Sequence, residues 1–530
     1  MSGSASSPST WAPLRAKVFR WLWLASLISN VGTWMQTVGA QWLLVHAANA
    51  AILVSLVQTA DMLPDVLFAI VGGVLADILD RRRLIIAVQV ALAVAGALLA
   101  TLTINGHMSP ALLLMFTFVI GSGSVFITPA YQSLVPELVP RDDVPAAVQL
   151  NSINVNIARA VGPGIGGIVI AHLGVGADFA LNAATFFVYA LVVLLWRPTQ
   201  HIAPELPERF FAALRAGGRY VRYAPVVRRI LLRAALFLVP ASALWGLLPL
   251  VASRRLGLGP SGYGILLGAL GVGAIIGVSV LSRLRAKLSV NAFAGLAGGF
   301  FCVALIAVAL MHSTIGDVLI LLPTGATWVW MLATLNTSLQ LFLPSWVRAR
   351  GLSIYQMVLF GSQGLGALLW GVLANAFGLS VAFITAAGLL AASTASIRLW
   401  PLIETSHMDR SIVVRPDPEI EFEMDGDRGR VLVWTTYTIP PEREADFKRA
   451  MRRVRESRFR TGATEWGLFR SGEQLGVFEE VFYVASWEEH LRQHRERLTA
   501  TDLSYEEEAN VLSSSPPHTQ HLFSTEREGD

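Results

Sequence analysis

From Phe19 to Leu402 the chain is a succession of apolar runs, broken at short intervals by polar or charged residues. A helix that crosses a bilayer needs about 20 apolar residues. Twelve runs are long enough: 19–45, 51–76, 84–104, 109–131, 145–172, 177–196, 230–252, 259–282, 290–312, 315–338, 348–376 and 379–402. Several hold Gly or Pro, which helices in lipid tolerate. From Glu404 onward Arg, Glu and Asp are dense and the apolar runs end. The pattern predicts an all-α membrane protein of twelve transmembrane helices in two six-helix halves, followed by a small cytoplasmic α+β domain. The expected boundaries are an N-terminal tail 1–18, a first half 19–196, a central loop 197–229, a second half 230–402, a linker 403–429 and a soluble domain 430–530.

Composition agrees with this division. The 530 residues are 54% hydrophobic and 15% charged, with a mean hydropathy of +0.54. Soluble domains carry about 25% charged residues, so much of the surface must face lipid. The net charge of +4 is small, and no nucleic-acid partner is expected. The basic residues mark orientation instead. Arg15, Lys17 and Arg20 flank the first run, Arg81, Arg82 and Arg83 follow the second, and Arg141 follows the fourth. Seven arginines from Arg197 to Arg229 follow the sixth run, Arg283, Arg285 and Lys287 the eighth, and Arg348 and Arg350 the tenth. The opposite loops hold no Lys or Arg except Arg254-Arg255. This alternation predicts a multi-pass protein of the inner (plasma) membrane with both termini cytoplasmic. The run from Phe19 is long enough to be a retained span rather than a signal peptide. One cysteine, Cys302, excludes an internal disulfide.

An ionisable side chain at membrane depth costs about 2.5–3.5 kcal/mol on insertion scales. Asp61 and Asp65 lie one turn apart in the second run, with Pro64 between them, and Asp61 falls about 15 Å in from Ala51. Arg159 lies midway along the fifth run. These three are the candidates for binding a proton or other coupling ion, with Arg159 as their partner or as a contact for an anionic substrate. A structural ion pair is the alternative. Asn30, Trp34, Thr37 and Gln41 form a polar stripe on the first helix. With Asn151 and Asn154 they are the substrate-cavity candidates. Interhelical hydrogen bonds are the plainer reading of each, and Thr37 can bond its own backbone. Trp21, Trp23, Trp42 and Trp400 suit interfacial belts. Gly162-Pro163-Gly164-Ile165-Gly166-Gly167 predicts a kink and close packing in the fifth helix.

The stretch Gly73-Val74-Leu75-Ala76-Asp77-Ile78-Leu79-Asp80-Arg81-Arg82-Arg83 resembles the signature loop of the major facilitator superfamily. The resemblance implies a cytoplasmic gate made by Gly73, Asp77, Arg81, Arg82 and Arg83, in which Asp77 caps or pairs with a helix of the other half. The arginines would meet acidic groups or helix C-termini. Asp80 stands where the superfamily has a second Gly. The fifth-run segment with Gly162, Pro163, Gly166 and Gly167 resembles the antiporter motif associated with export. Ser29 to Gln36, Pro129 to Arg141 and Leu150 to Pro163 resemble the branch that contains enterobactin-type siderophore exporters, also called transmembrane secretion effectors. That resemblance implies secondary active, proton-coupled export of small amphipathic molecules (siderophores, drugs or secondary metabolites) by alternating access.

The soluble part reads as strand 430–438, helix 442–455, strand 461–470, strand 473–485, helix 487–497, a helical piece 502–512 and a strand near 518–523, with Gly472 in the hairpin turn. The order β-α-β-β-α-β is ferredoxin-like. The tail resembles the antibiotic-monooxygenase-like family, which implies a homodimer through the sheets. His490 and His494 have metal-ligand spacing on a helix, but no matching third ligand is evident, so no metal or cofactor is expected. Without a Gly-x-x-x-x-Gly-Lys-Ser/Thr loop there is no sign of ATP drive. The protein is therefore expected to be no enzyme, with a small-molecule substrate, a proton or other coupling ion and the lipid membrane as partners. Two alternatives stay open: a membrane-anchored sensor or scaffold whose tail does the work, and a tail monooxygenase.

Overall fold

The computed structural model describes residues 11–196, 210–285, 287–405, 408–418, 420 and 429–524. Arg197, Arg209 and part of the expected linker lie outside the described residues, as do the side chains of Asp77, Arg215 and Arg283. The chain forms two compact units: Met1–Pro207, Leu232–Leu335 and Tyr355–Pro401 make the first, and Glu208–Leu231, Asn336–Ile354 and Leu402–Asp530 the second.

Long helices build the first unit. They are α1 (Lys17–Leu44), α2 (Ala50–Ile78), α3 (Arg81–Ile104), α4 (Pro110–Leu138), α5 (Val144–Leu173) and α6 (Val175–Leu195). After α7 (Phe210–Tyr223), which belongs to the second unit, come α8 (Pro225–Leu250), α9 (Pro260–Arg285), α10 (Val290–Leu310), α11 (Thr314–Phe342), α12 (Ser345–Phe377) and α13 (Leu379–Ala395). Among the described residues eleven helices are long and apolar enough to cross a membrane. The twelfth expected span, α1, has the length, but Asn30, Gln36, Gln41 and four tryptophans keep it out of that set. Leu98, Phe187 and Leu365 are among many large apolar side chains left exposed on the helices, as a lipid-facing surface requires. The buried faces pack α1 on α5 and α6, α2 on α4, and α3 on α6. Phe19, Trp23, Tyr131, Leu150 and Tyr189 share one core, and Leu99, Phe116, Phe179 and Phe186 another.

The internal repeat is visible in two turns. Gly174 alone separates α5 from α6, with φ +84, and Gly378 alone separates α12 from α13, with φ +90. A left-handed residue is needed to reverse the chain in so short a link, and glycine adopts it without steric cost. Allowing for the extra helix α7, the two glycines stand at the same place in each set of six.

In the second unit β1 (Val431–Thr438), β2 (Glu465–Arg470), β3 (Val477–Val484) and β4 (His518–Phe523) form one antiparallel sheet in the order β2-β3-β1-β4. Against it lie α14 (Glu444–Thr461), α15 (Trp487–Arg492) and α16 (Ala500–Val511). The expected stripe Phe447, Met451 and Val454 is buried with Tyr437 and Phe478. The helix runs past the expected Arg455 to Thr461 because Phe459 is also buried, in a second core with Val433, Phe482 and Trp487. The turn between β2 and β3 holds the expected Gly472 and also Gly476, whose φ of +77 reverses the chain. Its carbonyl accepts from Ile439 N–H, which fixes the turn there.

Candidate functional site

The polar stripe of α1 is largely spent on holding helices together. Asn30 Nδ2 donates to Asn154 Oδ1 at 2.9 Å, and Asn154 Nδ2 donates to the Trp23 carbonyl at 3.0 Å. Trp23 Nε1 in turn donates to the Leu150 carbonyl at 3.0 Å. Trp23 is therefore buried in the α1–α5 seam rather than in an interfacial belt. Its ring fills a core and its N–H has an internal acceptor. Trp21 and Trp400 are exposed, as a belt needs. Thr37 Oγ1 returns to the Thr33 carbonyl at 3.1 Å, and Asn151 is half-buried on α5. Gln41 is buried. It accepts from the Tyr263 hydroxyl on α9 and donates to the Trp245 carbonyl on α8 at 3.5 Å.

Arg159 and Trp34 stand apart from this net. The Arg159 guanidinium carbon lies 5.6 Å from the Trp34 ring centre, within cation–π reach. Gly162, one turn on, makes room: a Cβ there would fall 2.6 Å from Trp34 Cβ. Trp34 leads on to Trp245 of α8 (ring centres 6.4 Å) and Trp245 to Trp328 of α11 (5.4 Å), with Phe237 and Phe301 around Trp328. A cation with an aromatic wall thus sits where the first six helices meet the later ones. Trp245 and Trp328 escaped the sequence reading. Trp328 had a signal, since tryptophan prefers the ends of a span and this one is in the middle.

Asp61 and Asp65 are half-buried on α2. Asp61 packs on α4, where a Cβ on Gly121 would fall 3.2 Å from its Oδ1. Among the described residues no hydrogen bond or ion pair joins either carboxylate to Arg159. Sequence reading also missed Asp178 and Asp317, in the first turns of α6 and α11. Both are fully buried, and no hydrogen-bond partner reaches their oxygens among the described residues. Their place at helix N-termini offsets part of the burial cost.

Two seams join the halves. On α9, a Cβ at Gly271 would fall 2.3 Å from Ala160 Cα, and one at Gly264 would fall 2.5 Å from the Pro163 carbonyl. On α5, a Cβ at Gly167 would fall 2.6 Å from the Pro260 carbonyl. The kink motif is therefore half of a backbone-to-backbone contact whose other half is the α9 glycines. Across the second seam Thr59 of α2 donates to the Gly364 carbonyl of α12 at 2.8 Å.

The basic loop is anchored within the first six helices. Arg81 meets Glu137 of α4 at 2.5 Å. Arg82 donates to the Val193 and Leu194 carbonyls at 3.2 and 2.7 Å, at the C-terminal end of α6. Asp80 is the N-cap of α3, accepting from Arg83 N–H at 2.8 Å, which gives a reason for an acidic residue there. No side chain crowds Gly73. Arg255, one of the two arginines in loops otherwise without Lys or Arg, donates to the Val308 and Ala309 carbonyls and to Ser380 Oγ. It caps α10, which explains its departure from the charge pattern.

In the tail, His490 is buried. Its Nδ1 pairs with Gln493 Oε1 at 3.0 Å and its Nε2 with His521 Nε2 at 3.0 Å. Burial pushes the His490 imidazole down to about 3. His494 Nδ1 meets the Pro416 carbonyl at 3.1 Å. Among the described residues no set of three His, Cys, Asp or Glu could hold a metal ion. Glu480, fully buried in β3, is compensated by Arg458 (3.0 Å), Trp466 Nε1 (2.9 Å) and Tyr437 hydroxyl (3.1 Å).

The model of the family described as transmembrane secretion effector matches residues 8–529. The staphyloferrin A transporter of Staphylococcus aureus is 24% identical over 363 residues, covering 68% of this chain and 90% of its own. The multidrug efflux pump Tap of Mycolicibacterium fortuitum is 25% identical over 376 residues, with the same coverage. The enterobactin exporter EntS of Salmonella choleraesuis is 30% identical over 218 residues, 40% of this chain and 51% of its own. The fold is similar to that of a bacterial homologue of the lysosomal transporter Spinster in an inward-facing conformation (TM-score 0.56, 17% identity, 74% of this chain and 96% of that one). It is also similar to the nucleoside transporter NupG (TM-score 0.60, 11% identity, 72% and 99%).

Proposed function

We infer, from the premise that the chain belongs to the transmembrane secretion effector family of major facilitator transporters, that it exports small amphipathic molecules by proton-coupled alternating access. The family makes it a membrane transporter and no enzyme. The names of the similar proteins, a siderophore transporter, a multidrug pump and an enterobactin exporter, support efflux. In this reading α1 is the twelfth span, both termini are cytoplasmic, and the halves rock about the α5–α9 and α2–α12 seams. Asp61 and Asp65 carry the coupling proton.

One observation carries the substrate side of the proposal: Arg159, with no carboxylate partner among the described residues, lies over Trp34 at the junction of the halves. A cation on an aromatic wall suits a substrate with an anionic group and a flat apolar part. The tail, with its β2-β3-β1-β4 antiparallel order, supports the ferredoxin-like, antibiotic-monooxygenase-like reading, and its open sheet face is where a homodimer would form. Flux of carboxyfluorescein, an impermeant anionic aromatic dye, into proteoliposomes under an imposed pH gradient tests the reading. Gradient-independent flux, or an unimpaired Asp61→Asn variant, would overturn the coupling claim.

A further inference from the structure

The second unit is not the tail alone. It gathers α7, the turn between α11 and α12, and everything after Pro401. The first of these pieces holds α7 and the start of α8, and the second holds the end of α11 and the start of α12.

The fastening starts in the segment just after the last span. Ser411 O and Asp409 O accept from the Ala500 and Thr501 N–H groups at 3.0 Å each, and Val413 and Arg415 N–H donate to the Leu498 and His494 carbonyls at 2.9 Å each. Residues 409–415 are thus laid along the tail as an added strap. Arg410 projects from that strap with a nearly buried side chain. Its Nε donates to the Phe342 carbonyl, the last residue of α11, at 3.1 Å, and its guanidinium lies 4.4 Å from the Phe342 ring centre. A second nitrogen donates to the buried Tyr220 hydroxyl of α7 at 2.7 Å. A third lies 3.9 Å from Asp502 of α16. One side chain therefore touches the end of α11, α7 and the tail. It also places a cation at the C-terminus of α11, where the helix dipole favours one.

Independent contacts repeat the pattern. Tyr223 of α7 stacks on Phe459 of α14, with ring centres 4.2 Å apart and planes 11° apart. Arg460 joins Asp502 at 2.5 Å and donates to the Tyr223 carbonyl at 3.3 Å. Arg497 lies 4.8 Å over the ring of Trp346, in the first turn of α12, and Trp346 meets Tyr220 edge-on. Arg219 of α7 pairs with Glu489 at 3.4 Å. Charges buried with partners on both sides are costly to separate, because each would leave an uncompensated ion. Such an interface suits permanent docking rather than repeated release.

We propose that the C-terminal domain is a fixed brace, keyed by Arg410, that binds the α11–α12 turn to α7 and stays docked while the transporter cycles. The word "cycles" rests on the transporter reading above; the docking does not. The test uses the full chain in a Cys302→Ser background with Arg219→Cys and Glu489→Cys, bridged by a short reducible bis-thiosulfonate cross-linker. The intramolecular bridge is scored by mass spectrometry, and carboxyfluorescein flux is scored in proteoliposomes before and after reduction. The brace predicts a high yield of the bridge and flux within about twofold of the reduced protein. Adding Arg410→Ala should cut the yield severalfold. A bridge that forms but stops flux until it is reduced would overturn the fixed brace in favour of a latch that must open. Failure of the bridge to form, or a yield indifferent to Arg410→Ala, would overturn the docking itself. Flux no greater than in empty liposomes, with the bridge formed, would count against the transporter reading and leave the docking standing.

Discussion

Arg159 and Trp34 face each other across the α1–α5 seam, guanidinium to ring, 5.6 Å apart. The contact exists because Gly162 leaves no side chain between the helices. It joins the one arginine midway along α5 to an aromatic run that continues into α8 and α11. A cation–π contact of this kind is worth about 0.5–2 kcal/mol, so Trp34 alone is not needed to hold the fold. Its worth lies in what Arg159 is kept ready for.

Arg159→Ala should lower carboxyfluorescein flux at least about tenfold while leaving the melting temperature within a few degrees. Arg159→Lys should retain part of it, because lysine keeps the charge but not the planar fork. Trp34→Ala should weaken apparent affinity about twofold to thirtyfold, the range a loss of about 0.5–2 kcal/mol implies. Flux and thermal unfolding of the same preparations separate the site from the scaffold.

The α5–α9 seam makes a positional prediction. Gly271→Ala places a methyl group 2.3 Å from Ala160 Cα, whereas at Gly268 the nearest atom to a new Cβ is the Ala160 carbonyl oxygen at 3.7 Å. Overpacking of a tight core costs about 1–3 kcal/mol. Gly271→Ala should therefore lower thermal stability and flux together, and Gly268→Ala should do neither.

Asp80 should behave as a helix cap. Asp80→Ala is expected to cost about 1 kcal/mol and Asp80→Gly only a few tenths. Hydrogen exchange of the Arg83 amide, which Asp80 accepts from, should rise in the alanine variant. An unchanged rate would remove the cap from the account.

The tail should lose stability in acid through His490. Burial holds its folded value near 3, against an ordinary value of 6.5. Between these values the unfolded chain binds a proton that the folded one does not. Its effect on stability is therefore nil above about pH 6.5 and becomes a loss that grows as pH falls towards 3. The limiting slope for one proton is about 1.4 kcal/mol per pH unit. In His490→Asn the melting curves of the tail between pH 7 and pH 4 should be flatter by up to that slope. An identical pH dependence in the two proteins would contradict the assignment.

Much of the fold was legible because lipid leaves few choices. Apolar length places the helices. The charge pattern hid the role of Arg255, since an arginine in a loop expected to hold none looks like an exception until its acceptors at the end of α10 are seen. Periodicity found Phe447, Met451 and Val454 but not the end of their helix, which is set by Phe459 packing from the opposite side of the sequence window. The polar stripe of α1 was read as one surface. In space it divides: Asn30 and Gln41 hold helices, Thr37 bonds its own backbone, and Trp34 alone turns to Arg159. Partners distant in sequence decide such divisions, and no local pattern reports them. Arg410 is the clearest case, because three segments lying up to about 190 residues away in the chain give it its meaning.

The most direct test of the account is carboxyfluorescein flux in proteoliposomes carrying the wild-type chain, Asp61→Asn or Arg159→Ala, with and without an imposed pH gradient. The account predicts gradient-driven accumulation by the wild type, loss of gradient dependence in Asp61→Asn, and loss of dye transport in Arg159→Ala. Equal flux by all three proteins, unaffected by the gradient, would contradict it.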